Sequence, residues 1–269
     1  SCLPRNRLGP MHSISSILSE KLCSMCGRFA LTSDESRICK HFRVDLRTPI
    51  TPRFNIAPSQ KILVIRLQSQ THKHVSSLLR WGLIPSWSKN QSVGTRLTNA
   101  RSETVLTKPS FRESFRRRRC LIPANGFYEW TTSGKKKQPH FIRLTSNELF
   151  GIGGLWDSWE DNDKRIETCT ILTCDANQVM QHLHPRMPVV IQPERYDAWL
   201  SPATELAELS HDLLSFPKET TVISQVSDYV NDVRHDGIRC QHQCLDSNQA
   251  EAMHDAQLPT ASQKLLFEK

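Results

Sequence analysis

From residue 26 onward the chain is cut into short apolar segments by Pro, Asn, Gly and Ser turns, and that cutting restricts what it can fold into. KILVIRL (61–67), RCLIPANGFYEW (119–130), HFIRL (140–144), LFGIGGLW (149–156), TCTILTC (168–174) and MPVVI (187–191) read as strands. Helical spacing is rarer. It appears in Asp34 to Phe42 behind a Ser33/Asp34 cap, in PERYDAWL (193–200) and in ATELAELSHDLL (203–214). Strands in the middle with helices late predict an α+β or barrel-like single domain. No apolar run approaches the ~20 residues that cross a bilayer, so no membrane span is expected. A chain of 269 residues, 38% hydrophobic, can bury a sizeable core, which excludes collagen, coiled coil and wholesale disorder. Residues 1–24 read as a flexible leader, and the polar composition after Asn231 predicts a mostly disordered tail over 232–269.

Thirty-five Lys+Arg against 27 Asp+Glu give a net charge of +8, which suits a polyanionic partner without requiring one. Nine cysteines, an odd number at irregular spacing, point to a reducing compartment, nucleus or cytoplasm. The densest charge lies in KPSFRESFRRRR (108–119), where Phe111 and Phe115 interleave the cations; Lys135, Lys136 and Lys137 form a second cluster. Such a run is a solvated face, or it grips phosphates while the Phe rings stack on unpaired bases.

Isolated polar residues supply the candidate chemistry. Glu129 sits between Tyr128 and Trp130; it either points outward by strand alternation or is desolvated, which raises a carboxyl pKa and suits acid–base work. His184 in HLHPRMPVVI is a proton shuttle or a loop residue. Asn99, Arg101 and Glu103 in TNARSET form a compact polar trio or a simple turn. Cys23, Cys26, Cys240 and Cys244, with His242 nearby, could form a zinc site, although the two pairs are more than 200 residues apart. The residue types also permit a Cys26–His184–Asn99 peptidase triad.

Taken in order, MCGRFA (25–30), RFNIAP (53–58), WGLIPSW (81–87), TNARSET, RRCLIPANGFYEW (118–130) and HLHPRMPV (182–189) resemble the SRAP family, the SOS response-associated peptidases or abasic-site processing proteins. The resemblance makes residues 25–231 one SRAP-like catalytic and DNA-binding domain. It implies a mixed, barrel-like β-sheet core with a few flanking helices. The family cross-links itself to abasic sites in single-stranded DNA through the cysteine that follows the initiator Met. The resemblance therefore implies Cys26 as nucleophile, with Asn99, Glu129 and His184 as catalytic partners. It gives DNA contacts to Arg28, Arg101 and Arg186, and, by looser matches, to Trp81 and Thr173. No cofactor and no metal are implied, and a monomer acting on abasic single-stranded DNA is expected.

A ring-opened abasic site is an aldehyde, and a free α-amine, with pKa about 7.7–8.0, forms a Schiff base with it. A 1,2-aminothiol goes further and closes a thiazolidine ring, which only an N-terminal cysteine can do. Here 25 residues precede Cys26. Two routes free its amine. Translation can begin at Met25, with residues 1–24 untranslated and Met25 trimmed, or the family's peptidase activity can cut the Met25–Cys26 bond. The first is expected. Alternative functions are a self-processing cysteine peptidase and a non-catalytic basic module that binds single-stranded nucleic acid.

Overall fold

The computed structural model describes residues 27–68, 70–134, 136–162, 164–213 and 218–244. Its first strands are β1 (Phe29–Leu31), β2 (Val44–Asp45), β3 (Arg53–Ile56), β4 (Lys61–Leu67), β5 (His74–Trp81), β6 (Asn99–Arg101) and β7 (Arg119–Ala124). They are followed by β8 (Gly126–Ser133), β9 (Lys136–Leu144), β10 (Phe150–Asp161), β11 (Lys164–Asp175), β12 (Arg186–Pro188), β13 (Val190–Ile191) and β14 (Thr221–Gln225). The α-helices are short: α1 (Glu35–Phe42), α2 (Arg112–Arg117), α3 (Tyr196–Leu200) and α4 (Leu206–Leu209). No described helix is long and apolar enough to cross a membrane.

Strands β5, β4, β7, β10 and β11 are successive antiparallel neighbours, and a parallel pairing of β11 back onto β5 (Thr168 with Arg80, Cys169 with Trp81) closes them into a five-stranded barrel. The fold is thus the expected α+β type with a mixed, barrel-like core. Strand β6 extends β11 in parallel, and β12 extends it antiparallel. A second, antiparallel sheet runs β14–β9–β8–β1–β3. Phe29, Leu31, Phe127 and Ile142 on its inner face share one apolar core with Val64, Ile65, Leu121, Ile122 and Leu155 of the barrel.

The segment 119–130, expected as one strand, is two, because the chain changes sheets at Asn125. The Asn125 side chain accepts from the backbone N–H groups of Thr32 (2.8 Å) and Ser33 (2.9 Å), taking the place of a strand neighbour. Gly126 follows because a Cβ there would lie 2.6 Å from the Ile142 carbonyl oxygen and closer still to the Phe141 ring. The helix expected over 203–214 contracts to α4 and a 3₁₀ turn at Ser210–Asp212.

Two further expectations change. Phe111 and Phe115 are buried in the barrel core, so neither can stack on a base; α2 turns Arg112, Arg116 and Arg117 to solvent instead. Residues 232–244, expected as disordered tail, are folded. With 226–231 they form a strap over the outer face of the second sheet, where Val226, Val230 and Cys240 pack on Ala30, Tyr128 and Phe141. Fully buried Asn55 pins the strap, its amide donating to the carbonyls of Val230 (3.2 Å), Asp232 (3.0 Å) and His235 (2.7 Å). Asp236 returns the hold, accepting from the N–H groups of Phe54 (2.6 Å) and Asn55 (3.1 Å) and pairing with Arg53. Replacing Asn55 by Leu strands those carbonyls, and a loss of about 2–4 kcal/mol in urea unfolding is expected. A loss below about 1 kcal/mol would sink this role for Asn55.

Candidate functional site

Strand β6 is only three residues long, yet it sets out much of the site. Ala100 points into the core, which leaves Asn99 half-buried and Arg101 exposed on either side of it. In register on β11, Asn99 lies beside Ile171 and Arg101 beside Thr173. Across β11 the pairing brings Arg186 opposite Asp175. The Arg186 guanidinium donates to both oxygens of Glu103 (2.7 and 2.9 Å), to Asp175 (2.6 Å) and to the Thr173 carbonyl (2.7 Å). Burial works against the charged state of Arg186, and the two carboxylates outweigh it, raising the pKa. Desolvation likewise pushes Glu103 up, and Arg186 overrides it and holds that carboxyl below its ordinary range. Arg186, expected as a phosphate contact, is therefore already engaged, and it clamps β11, β12 and the turn after β6 together.

That clamp also orients His184. The Arg186 backbone N–H donates to His184 Nδ1 at 3.0 Å. The Arg186 carbonyl oxygen lies 3.1 Å from the same Nδ1, so the main chain of Arg186 meets this nitrogen with both its donor and its acceptor. His184 lies in the loop between β11 and β12 and caps the backbone two residues on, as its loop alternative has it, and the ring is buried there. Thr173 is buried beneath this group, its Oγ1 3.5 Å from the Ala100 carbonyl.

A second group forms on β1 and β8. Glu129 is 3% exposed, which decides between its two sequence readings in favour of desolvation. Alternation puts it on the inner face with Phe127, directly across from His140 on β9, next to the Phe127–Ile142 pair. His140 is buried, its Nδ1 has no partner among the described residues, and burial lowers its pKa. Arg28 immediately precedes β1 and faces outward. It donates to Asn55 Oδ1 (2.6 Å) and the Val230 carbonyl (2.9 Å) and lies over the Trp130 ring.

Trp81 joins the two groups. It is 0% exposed, so it cannot touch DNA as expected. Where β5 closes on β11, its ring meets Phe29 of β1 at 5.4 Å and its Nε1–H donates to the Thr98 carbonyl (2.8 Å), one residue before Asn99. Among the described residues, the exposed aromatic is Trp87, 63% accessible, beside Arg117 and Arg118 in a small surface pocket. Sequence reading passed over it, although an aromatic stranded between Ser86 and Ser88 after a strand end was the available signal.

Cys26, the expected nucleophile, lies outside the described residues, as do Cys23, Lys135, the leader 1–24 and residues 245–269. Burial pushes up the thiols of Cys120 and Cys169, and Cys174 reaches about 12, so none of the three is ready to act as a thiolate. Cys240 is a core residue with its Sγ toward the His235 carbonyl, while Cys244 is exposed.

The SOS response-associated peptidase (SRAP) family model matches residues 25–233. The chain belongs to this family. Among SRAP relatives, it is 39% identical to "Abasic site processing protein YoqW" of Bacillus subtilis over 213 residues, covering 77% of this chain and 94% of that one. It is 31% identical to "Abasic site processing protein HMCES" of chicken, covering 70% of this chain and 65% of that one. A crystal structure of a Bacteroides thetaiotaomicron protein shares the SRAP-like fold with TM-score 0.73 at 24% identity, covering 81% of this chain and all of the other.

Proposed function

We propose that the protein processes abasic sites in single-stranded DNA by closing a thiazolidine ring on the lesion with an N-terminal Cys26. The observation that carries this is the desolvated carboxyl of Glu129 on β8, whose neighbour β1 leads directly back to Cys26. β1 pairs Phe29 with Phe127, and the Tyr128 N–H donates to the Arg28 carbonyl. Continuing that register sets Gly27, the residue after Cys26 in the sequence, across from Glu129. Membership of a family whose relatives are named for abasic-site processing supports the same reading.

The chemistry balances without an oxidant. The amine adds to the aldehyde carbon and water leaves, forming an imine. The Cys26 sulfur then bonds to the imine carbon while the thiol proton passes to nitrogen. Glu129 relays protons among amine, thiol and sugar hydroxyl. His184 protonates the sugar ring oxygen, and Asn99 holds the Cys26 backbone. Arg101 meets a flanking phosphate, Trp87 stacks on an unpaired base, and Arg186 positions His184. Arg28, engaged by Asn55 and the Val230 carbonyl, holds the strap instead of a phosphate. The amine is freed by trimming Met25 or by cleavage of the Met25–Cys26 bond.

Denaturing intact-mass spectrometry tests this. A chain beginning at Cys26, mixed with an abasic single strand, is expected to gain the mass of the DNA less one water. An unshifted mass under conditions where the strand binds would overturn the proposal.

A further inference from the structure

On the outer wall of the barrel, where β4 and β5 meet the start of β11, lies a groove of about 790 Å³. Five cations line it, Lys61, Arg66, Arg80, Lys164 and Arg165, against the single carboxylate of Glu167. That carboxylate is taken up by Arg66, which donates to it twice (2.8 and 3.1 Å), with Arg165 at 3.8 Å; Arg165 also reaches Glu160 at 3.6 Å. Among the described residues no carboxylate pairs with Lys61, Arg80 or Lys164. Lys61 and Arg80 are moreover directly opposed in the β4–β5 register. Like charges so placed have Cβ atoms about 5 Å apart and destabilise a sheet unless an anion lies between them. Leu78, 42% exposed, gives the groove an apolar floor.

We propose that this groove holds the sugar–phosphate backbone of the single strand flanking the reaction site, a second binding tract separate from the site itself. The proposal rests on the reading of the protein as one that acts on single-stranded DNA. Strand β11 connects the two places. It carries Glu167 in the groove and Thr173 beside Arg101, six residues along, or on the order of 20 Å. That distance is several nucleotides, so a short oligonucleotide covering only the lesion cannot reach the groove and a long strand can. The cations take the phosphates, and Leu78 takes a sugar or base face.

The test compares wild type with the triple variant Lys61→Gln/Arg80→Gln/Lys164→Gln, both beginning at Cys26. Non-covalent affinity is measured in a Cys26→Ala background by fluorescence anisotropy across a salt series. For a long abasic strand the variant is expected to bind about tenfold more weakly, with a salt slope shallower by about two, as three lost phosphate contacts on a single strand require. Affinity and adduct formation with the short oligonucleotide should not change, which also shows that the variant is folded. Unchanged long-strand affinity and slope overturn the proposal. So does equal weakening on both lengths, which would place the cations in the reaction site. If DNA binding is unmoved while wild type binds a polyglutamate peptide and the variant does not, the groove serves an acidic protein segment and the proposal fails. Should wild type form no adduct with either length while the triple variant still loses long-strand affinity, the thiazolidine reading fails and the groove stands.

Discussion

In a chain beginning at Cys26, Glu129→Gln is expected to slow adduct formation with an abasic single strand by on the order of 10²-fold. Cys26→Ala should form no adduct. Glutamine keeps the length, planarity and one acceptor oxygen of Glu129 in its buried place on β8, and the melting temperature should hold. It removes the capacity to take up and release a proton. Imine formation, loss of water and ring closure each move at least one proton. At 3% exposure, water has little access to the Glu129 carboxyl to do this in its place. Quenched time courses on denaturing gels give the rate directly. A glutamine variant as fast as wild type would remove Glu129 from the chemistry and leave it as a packing residue.

The largest loss of stability is expected from Arg119→Leu. Arg119 reads in the sequence as the last cation of an exposed run, but in the fold it is 2% exposed. Its guanidinium donates to the carbonyls of Phe115 (2.5 Å), Arg116 (2.9 Å), Trp199 (2.6 Å) and Ser201, and so ties the end of α2 to the end of α3. Burial draws its pKa down to about 10, and the group stays charged at neutral pH. Leucine fills some of the volume and leaves four helix-end carbonyls without this donor. Removing one side of a buried charged network costs about 3–5 kcal/mol, which should appear in urea unfolding as a lower midpoint at constant slope. A change under about 1 kcal/mol would mean that water replaces the guanidinium and that the tie between the helices is weak.

What the sequence made legible follows from the range of the interactions involved. KILVIRL and TCTILTC are apolar enough along their length to announce strands, and Asp34 announces α1 through a bond to the Arg37 N–H three residues away. The parallel closure of β11 on β5 has no local sign, since two residue pairs made across some 90 positions decide it. For the same reason Trp81 could not be placed inside and Trp87 outside from WGLIPSW alone. The second half of the basic run misled because its charges lie outward while Phe111 and Phe115 point inward at helical spacing. The strap was invisible for a different reason: main-chain carbonyls held by Asn55 make it, and composition does not record which carbonyls find a donor. The clustering of Asn99, Arg101, His184 and Arg186 was implied by motif resemblance, and the engagement of Arg186 with Glu103 and Asp175 came only from the fold.

Arg28 stands two residues from Cys26, yet its guanidinium rests on the Val230 carbonyl, 202 positions further along. At a synthesis rate of about 5–20 residues per second, that separation is a delay of roughly 10–40 s between making one partner and making the other. Under the proposed chemistry the reactive end leaves the ribosome first and waits for nearly the whole chain before its surroundings are complete. A nascent Cys26 is then an ordinary aminothiol, and the finished strap marks the moment at which it becomes an enzyme's.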